Sequence, residues 1–160
     1  MILNKENILI KICDLLRQQC EQSKKALDES HQNAIDPENI PENKYDTTGL
    51  EASYLVQGQA RHLEELEDTL KSYERFKFPE YNGTVQLGSL VLIEDDDYNE
   101  IYYFIGPKTG GINIEEGDVS VTLISFNSPI GQKLIGKYVG DPIEIFIDGQ
   151  NKNFTLIDHR

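Results

Sequence analysis

From Glu6 to Asn33 the chain runs without a single glycine or proline. Along that stretch Ile8, Ile12, Leu15, Leu16, Cys20 and Leu27 recur at spacings of three, four and seven, the mark of an amphipathic helix. A second segment has a clearer stripe, Val56, Leu63, Leu66, Leu70 and Tyr73, interrupted only by Gly58. The two helices are expected at roughly 4–33 and 47–76. A helix of about 28 residues is roughly 42 Å long, and two of them enclose little interior. The elbow between them reads Ile35-Asp36-Pro37-Glu38-Asn39-Ile40-Pro41-Glu42-Asn43-Lys44-Tyr45-Asp46. Pro37 and Pro41 each push the preceding residue away from helical geometry. An antiparallel helical hairpin follows, with carboxylates at its far end and no local core to bury them.

Past Cys20 the first helix thins to Ser23, Ala26, Leu27 and Ser30. Less apolar area leaves water there, so the distal half is the less stable end. After Phe78-Pro79-Glu80-Tyr81-Asn82-Gly83 the grammar changes. Short β-branched and aromatic runs appear at 90–93, 101–105, 119–126, 143–147 and 154–157, separated by turn signals. Asp148-Gly149 suggests a tight hairpin, although the polar run to Asn153 would also suit a longer loop. Ser128-Pro129 is suited to cap and start a short helix to about Ile135, with Gly136 ending it. The expected class is α+β: a coiled-coil hairpin over 1–78, then a small, mostly antiparallel sheet with one short helix over 79–160.

With 28 acidic and 15 basic side chains, the formal net charge is -13. That argues against unaided binding to nucleic-acid phosphates, which needs Lys and Arg to displace counterions. No run of about 18 apolar residues exists, so no membrane span is expected. Charge enters at Lys5 and Glu6, too early for a signal peptide. Cys13 and Cys20 on one helix would stand about 10 Å apart, beyond disulfide reach, so reduced thiols in a cytoplasm are expected. His31, His62 and His159 form no zinc-like spacing with them.

The elbow gathers Asp36, Glu38, Glu42 and Asp46, with Glu51 beginning the next helix. Such acids serve as helix caps and solubilising charge, because the helix dipole favours them near a helix start. They equally suit a divalent metal supplied by a partner, since Mg²⁺ takes one or two protein carboxylates and keeps its waters. Glu94-Asp95-Asp96-Asp97 lies between two expected strands and reads as a hairpin loop. Ser128 has no His and acid arrangement around it and is not taken for a nucleophile.

The stretch Asn127-Ser128-Pro129-Ile130-Gly131, continuing to Gly136-Lys137-Tyr138-Val139-Gly140-Asp141, resembles the C-terminal signature of the bacterial Gre transcript-cleavage factors. Pro41-Glu42-Asn43-Lys44-Tyr45, then Glu51-Ala52-Ser53-Tyr54 and Gly58-Gln59, is similar to the tip and returning helix of the same family. The resemblance covers essentially the whole chain in the same order. It implies an N-terminal coiled-coil hairpin and an FKBP-like C-terminal domain. It further implies an accessory factor rather than an enzyme, with bacterial RNA polymerase as partner and only indirect contact with the nascent RNA. In that family the globular domain docks near the mouth of the polymerase secondary channel, and the acidic tip helps hold the second catalytic Mg²⁺. No tightly bound cofactor is implied, and a cytoplasmic monomer is expected.

Carried over residue by residue, Glu42 is the metal-facing acid. Ser128, Pro129, Gly136 and Lys137 shape the docking surface, while Asn39, Pro41, Lys44 and Asp46 set the tip. One departure stands out: the family's tip has an acid three residues before the Glu that matches Glu42, and here that position is Asn39. Glu38 or Asp36 is then the substitute second acid. Otherwise the chain binds the channel without stimulating cleavage. A prolyl isomerase is a third alternative raised by the implied fold, but fold alone does not carry activity. Tyr102, Tyr103, Phe104 and Phe126 read as core rather than as its aromatic pocket.

Overall fold

A computed structural model describes residues 3–36, 38 and 47–160. The expectations placed on Asn39, Pro41, Glu42, Lys44 and Asp46 lie outside the described residues. The chain divides into two compact units, Cys13–Lys71 and Met1–Ile12 with Ser72–Arg160. Helices α1 (Lys5–Ile35) and α2 (Thr48–Glu74) contribute to both. The first turns of α1 and the end of α2 belong with the sheet. Ile8, Ile12 and Tyr73 are buried there, and the Lys11 ammonium donates to the Glu115 carbonyl at 2.6 Å.

The Cys13–Lys71 unit is a helical hairpin. Leu16 and Cys20 are buried on α1, while Val56, Leu63, Leu66 and Leu70 form the half-buried stripe of α2. Lys24 pairs with Glu67 across the helices at 3.2 Å. Both groups are substantially solvated, so that pair adds at most about 1 kcal/mol. The seam thins as expected: Ser23, Ala26 and Leu27 are half-buried, and Ser30 is the buried residue nearest the hairpin's end. Cys13 and Cys20 are buried and are not joined in a disulfide.

The other unit is built on six strands: β1 (Leu90–Asp95), β2 (Glu100–Gly106), β3 (Ile112–Glu116), β4 (Val119–Ser125), β5 (Pro142–Ile147) and β6 (Gln150–His159). They lie in the order β3-β4-β2-β1-β6-β5, with β2 and β4 parallel and every other pairing antiparallel. The β3–β4 hairpin provides the crossover that brings β4 back alongside β2, a connection that parallel neighbours require. Strand β3 was absent from the sequence expectation. It is an edge strand whose run Ile112-Asn113-Ile114-Glu115-Glu116 buries only Ile114 fully, so its hydrophobic signal is weak.

Helix α3 (Pro129–Leu134) lies between β4 and β5 in sequence. Its Leu134 enters the core with Ile93, Ile105, Ile145, Phe154 and Leu156. Burying a side chain of that size stabilises the fold by about 1.5–3 kcal/mol. Tyr103 and Phe104 are buried and Phe126 packs against the core, as their reading as core aromatics requires, whereas Tyr102 is only half-buried and its hydroxyl donates to Glu100 at 3.0 Å. The tight version of the last hairpin is the one found. Asp148 and Gly149 both have positive φ, 52° and 78°, and Ile147 pairs directly with Gln150. That is the two-residue turn whose twist matches its strands.

Candidate functional site

Two regions bear the expected functional residues. The first is the end of the hairpin. Thr47 precedes α2, and its carbonyl accepts the Glu51 amide at 2.8 Å. The Thr47 hydroxyl donates to the Glu51 carboxylate at 3.0 Å. Glu51 is therefore engaged in the helix start, where the dipole favours its charge. On the α1 side, the Asp36 amide donates to Asn33 O at 3.3 Å, and its Oδ1 accepts the Glu38 amide at 2.9 Å. One carboxylate oxygen of Asp36 thus holds the chain as it leaves the helix. Glu38 is exposed, and among the described residues its carboxylate has no hydrogen-bond or ion-pair partner. Ile35, Leu50, Tyr54 and Leu55, all close in sequence to the same connection, are more than half exposed.

The second region lies in the sheet unit around Ser128. Ser128 caps α3: its Oγ accepts the Gly131 amide at 3.0 Å and donates to Ser125 O at 2.7 Å. Pro129 follows at the first helical position, where its missing N–H costs nothing. Gly131 must be glycine, because a Cβ there would overlap the Ser125 carbonyl. Ser128 and Pro129 line a cavity of about 670 Å³ together with Thr109, Gly110, Ile124, Ile130 and Phe146. Phe146 is 66% exposed although it sits in a strand. Thr109 has φ 55°, a left-handed conformation that a β-branched residue rarely adopts. Strain of about 1–3 kcal/mol of this kind persists where surrounding structure over-determines it, commonly at binding sites.

Gly136 and Lys137 do not line that cavity. They form the turn after α3, with Gly136 at φ 80°. Their backbone is stitched to Val85: Gly136 N–H donates to Val85 O at 2.8 Å, and Val85 N–H to Lys137 O at 2.9 Å. Their part is to hold the turn. The sequence expectation missed Phe146 and Thr109. The signal for Phe146 was present, because Ile143 and Ile145 occupy the buried phase of β5 and leave an aromatic on the solvent phase. Thr109 had no comparable signal.

Among the described residues no group of three or more His, Cys, Asp or Glu side chains is placed to hold a metal. No helix is long and apolar enough to cross a membrane. The acidic run Asp95–Asp97 is a turn between β1 and β2. Asp95 Oδ1 accepts the amides of Asp97 and Asn99, each at 2.9 Å. Hydrogen bonds from the Asn99 side chain and backbone hold the Asp95 carboxyl below the usual range.

A helical hairpin with acids at its turn, joined in one chain to a sheet unit with an apolar groove, defines a class of protein whose notable features are contact surfaces. The family described as "Transcription elongation factor, GreA/GreB, C-term" matches residues 80–158. A transcription elongation factor GreA of Beijerinckia indica subsp. indica is 31% identical over 122 residues, spanning 74% of this chain and 71% of its own length. One from Rhodospirillum rubrum is 32% identical over 126 residues, spanning 77% and 74%. The chain belongs to the GreA/GreB family of transcription elongation factors. A solved structure of GreA factor homolog 1 (Gfh1) from Thermus thermophilus aligns over 92% of this chain and 94% of its own, at 22% identity and a TM-score of 0.40.

Proposed function

We propose that this chain is an accessory factor of bacterial RNA polymerase that brings the hairpin's acids to the polymerase active centre and stimulates cleavage of backtracked RNA. The observation that carries this reading is the Glu38 carboxylate, exposed and without a partner among the described residues, in a chain of the GreA/GreB family. Mg²⁺ commonly takes one or two protein carboxylates and otherwise keeps water, so a free carboxylate of this kind fits the polymerase's ion. When bound, that ion activates a water and stabilises the leaving oxygen. The factor's own residues supply fixed negative charge in the right place, Glu42 first and Glu38 second. Asp36 supports them by holding the Glu38 amide.

The groove beside Ser128 and Pro129 is the proposed docking surface on the polymerase. Phe146 offers an exposed aromatic anchor, the residue type that dominates interface energetics. Exposed Leu50, Tyr54 and Leu55 give the hairpin apolar contacts for the walls of the channel it would enter. The factor would act as a monomer in the bacterial cytoplasm, touching RNA only indirectly.

Asn39 favours a second reading, a channel occupant that modulates the polymerase without cleavage, because a neutral amide stands where the family carries an acid. A transcript-cleavage assay on stalled, backtracked complexes separates the two. Release of short 3′ RNA fragments, lost in Glu42→Ala, supports the first reading. Binding and inhibition without cleavage support the second.

A further inference from the structure

We propose that His159 is a pH-sensitive latch fastening the segment between α2 and β1 to the end of β6, an inference independent of the polymerase reading. His159 pairs with Val91 in the sheet and is only 5% exposed. Its Nδ1 is buried and has no hydrogen-bond partner among the described residues. The Gly83 backbone hydrogen-bonds to the ring. The Tyr81 ring lies 5.4 Å from the imidazole at 41°, while Tyr81 itself is 60% exposed. At its far end the segment is anchored by Val85, whose backbone bonds Gly136 and Lys137. Before that, Gln86 Nε2 donates to Glu80 O at 2.8 Å, and Asn82 Oδ1 accepts from Thr84 N at 3.0 Å and Oγ1 at 2.9 Å. The imidazole is the fastening between Tyr81–Gly83 and β6.

The site suits only the neutral ring. A second proton would create a buried Nδ1–H donor with no acceptor, which costs more than an ordinary hydrogen bond returns. The charged group acting on the ring is Asp158 on the same strand, and its carboxylate is already paired with Arg160 at 2.6 Å. From the facing segment the ring meets the Tyr81 phenol ring and the Gly83 backbone, and the register neighbour of His159 on β1 is the uncharged Val91. Burial holds His159 below its usual range, with Asp158 and the Gly83 bond acting in the other direction. Because the folded value is depressed, the neutral ring's contribution is complete above the usual histidine value and is lost as pH falls through the folded value. Turning the protonated ring to water surrenders the Tyr81 contact and the Gly83 bond together. The latch is therefore closed at neutral pH and opens in mild acid.

The test is an NMR titration of the full chain's three imidazoles, with amide exchange over Glu80–Thr84. His159 is expected to titrate below the usual histidine range, with Tyr81 ring and Gly83 amide signals moving at the same midpoint. Exchange of that segment, corrected for its intrinsic pH dependence, should rise at least tenfold below the midpoint. His159→Gln keeps an N–H donor without the titration and should abolish the pH response. A His159 midpoint within or above the usual histidine range would overturn the latch. So would Tyr81 and Gly83 signals that stay still as His159 titrates. These two readouts come from the unmodified chain and decide the matter even if the variant does not fold.

Discussion

The Tyr73 hydroxyl stands where a side chain on residue 106 would begin. A Cβ at Gly106 would overlap that oxygen, and beyond it would crowd the Tyr73 ring and Leu123. The hydroxyl donates to the Lys108 carbonyl, so the end of α2 is anchored onto the segment leaving β2. Gly106→Ala is expected to destabilise by about 1–3 kcal/mol through overpacking. Tyr73→Phe loses the hydrogen bond to Lys108, about 0.5–1.5 kcal/mol. Since the phenylalanine removes the nearest clashing atom, the double variant should be more stable than the sum of the two losses predicts. Urea denaturation of all four proteins measures the coupling, and strict additivity would contradict it.

How much of this was legible in the sequence varies with the physics involved. The hairpin was legible because long runs free of glycine and proline, with apolar spacings of three and four, leave few alternatives. The α3 cap was legible because Ser128-Pro129 states its chemistry locally, and the 148–149 turn for the same reason. Strand β3 was not, since an edge strand with one fully buried residue carries almost no alternation signal. The parallel β2–β4 pairing and the Tyr73–Gly106 contact join residues far apart in sequence, which periodicity does not reach. At the candidate sites the sequence presented Asp36 and Glu38 as equivalents. The Asp36–Glu38 hydrogen bond distinguishes them.

If Asp36 holds the turn and Glu38 faces the polymerase ion, neutral amides at the two positions should act differently. Glu38→Gln removes the free carboxylate and is expected to lower stimulated RNA cleavage about 10–100-fold, the worth of a charged contact of about 1.5–3 kcal/mol. Asp36→Asn keeps an acceptor oxygen for the Glu38 amide and should cost much less. Cleavage rates at saturating factor are the measurement. Equal losses at both positions would remove the distinction.

Restoring the family's acid gives a complementary expectation. Asn39→Asp adds a carboxylate at the position where the family resemblance implies an acid. Cleavage stimulation should rise, by about tenfold if the new acid supplies one tenfold step of about 1.4 kcal/mol. A variant that binds polymerase unchanged and cleaves no faster would show that the amide is not the deficit.

The groove separates folding from docking. Phe146 is mostly exposed, so Phe146→Ser should leave the urea midpoint almost unchanged, within about 0.5 kcal/mol. The same change should weaken polymerase binding at least tenfold, about 1.4 kcal/mol, if the ring is an anchor. Ser128→Ala should instead cost stability, about 1 kcal/mol, because it uncaps α3. Titrations of labelled factor with polymerase, read beside the denaturation curves, check both.

The edge strand β3 carries a pH-dependent tie to α1. Lys11 Nζ lies 2.6 Å from Glu116 and also donates to the Glu115 carbonyl, while Asn7 reaches Glu116 at 3.5 Å. The hydrogen bond from Lys11 holds the Glu116 carboxyl below its usual range, with burial opposing it and Asn7 adding to it more weakly. A depressed carboxylate contributes stability that is present above its unfolded value and lost as pH falls through its folded value. Stability should therefore decline on the acid side of the usual glutamate range, partly through this pair. In Lys11→Met that part of the decline should vanish, and the gap between variant and parent should narrow as acid protonates Glu116. Urea midpoints from neutral pH into the acid range, in low and high salt, test the effect. A gap that stays constant across the titration would assign Lys11's role to packing and to its bond with Glu115 rather than to charge.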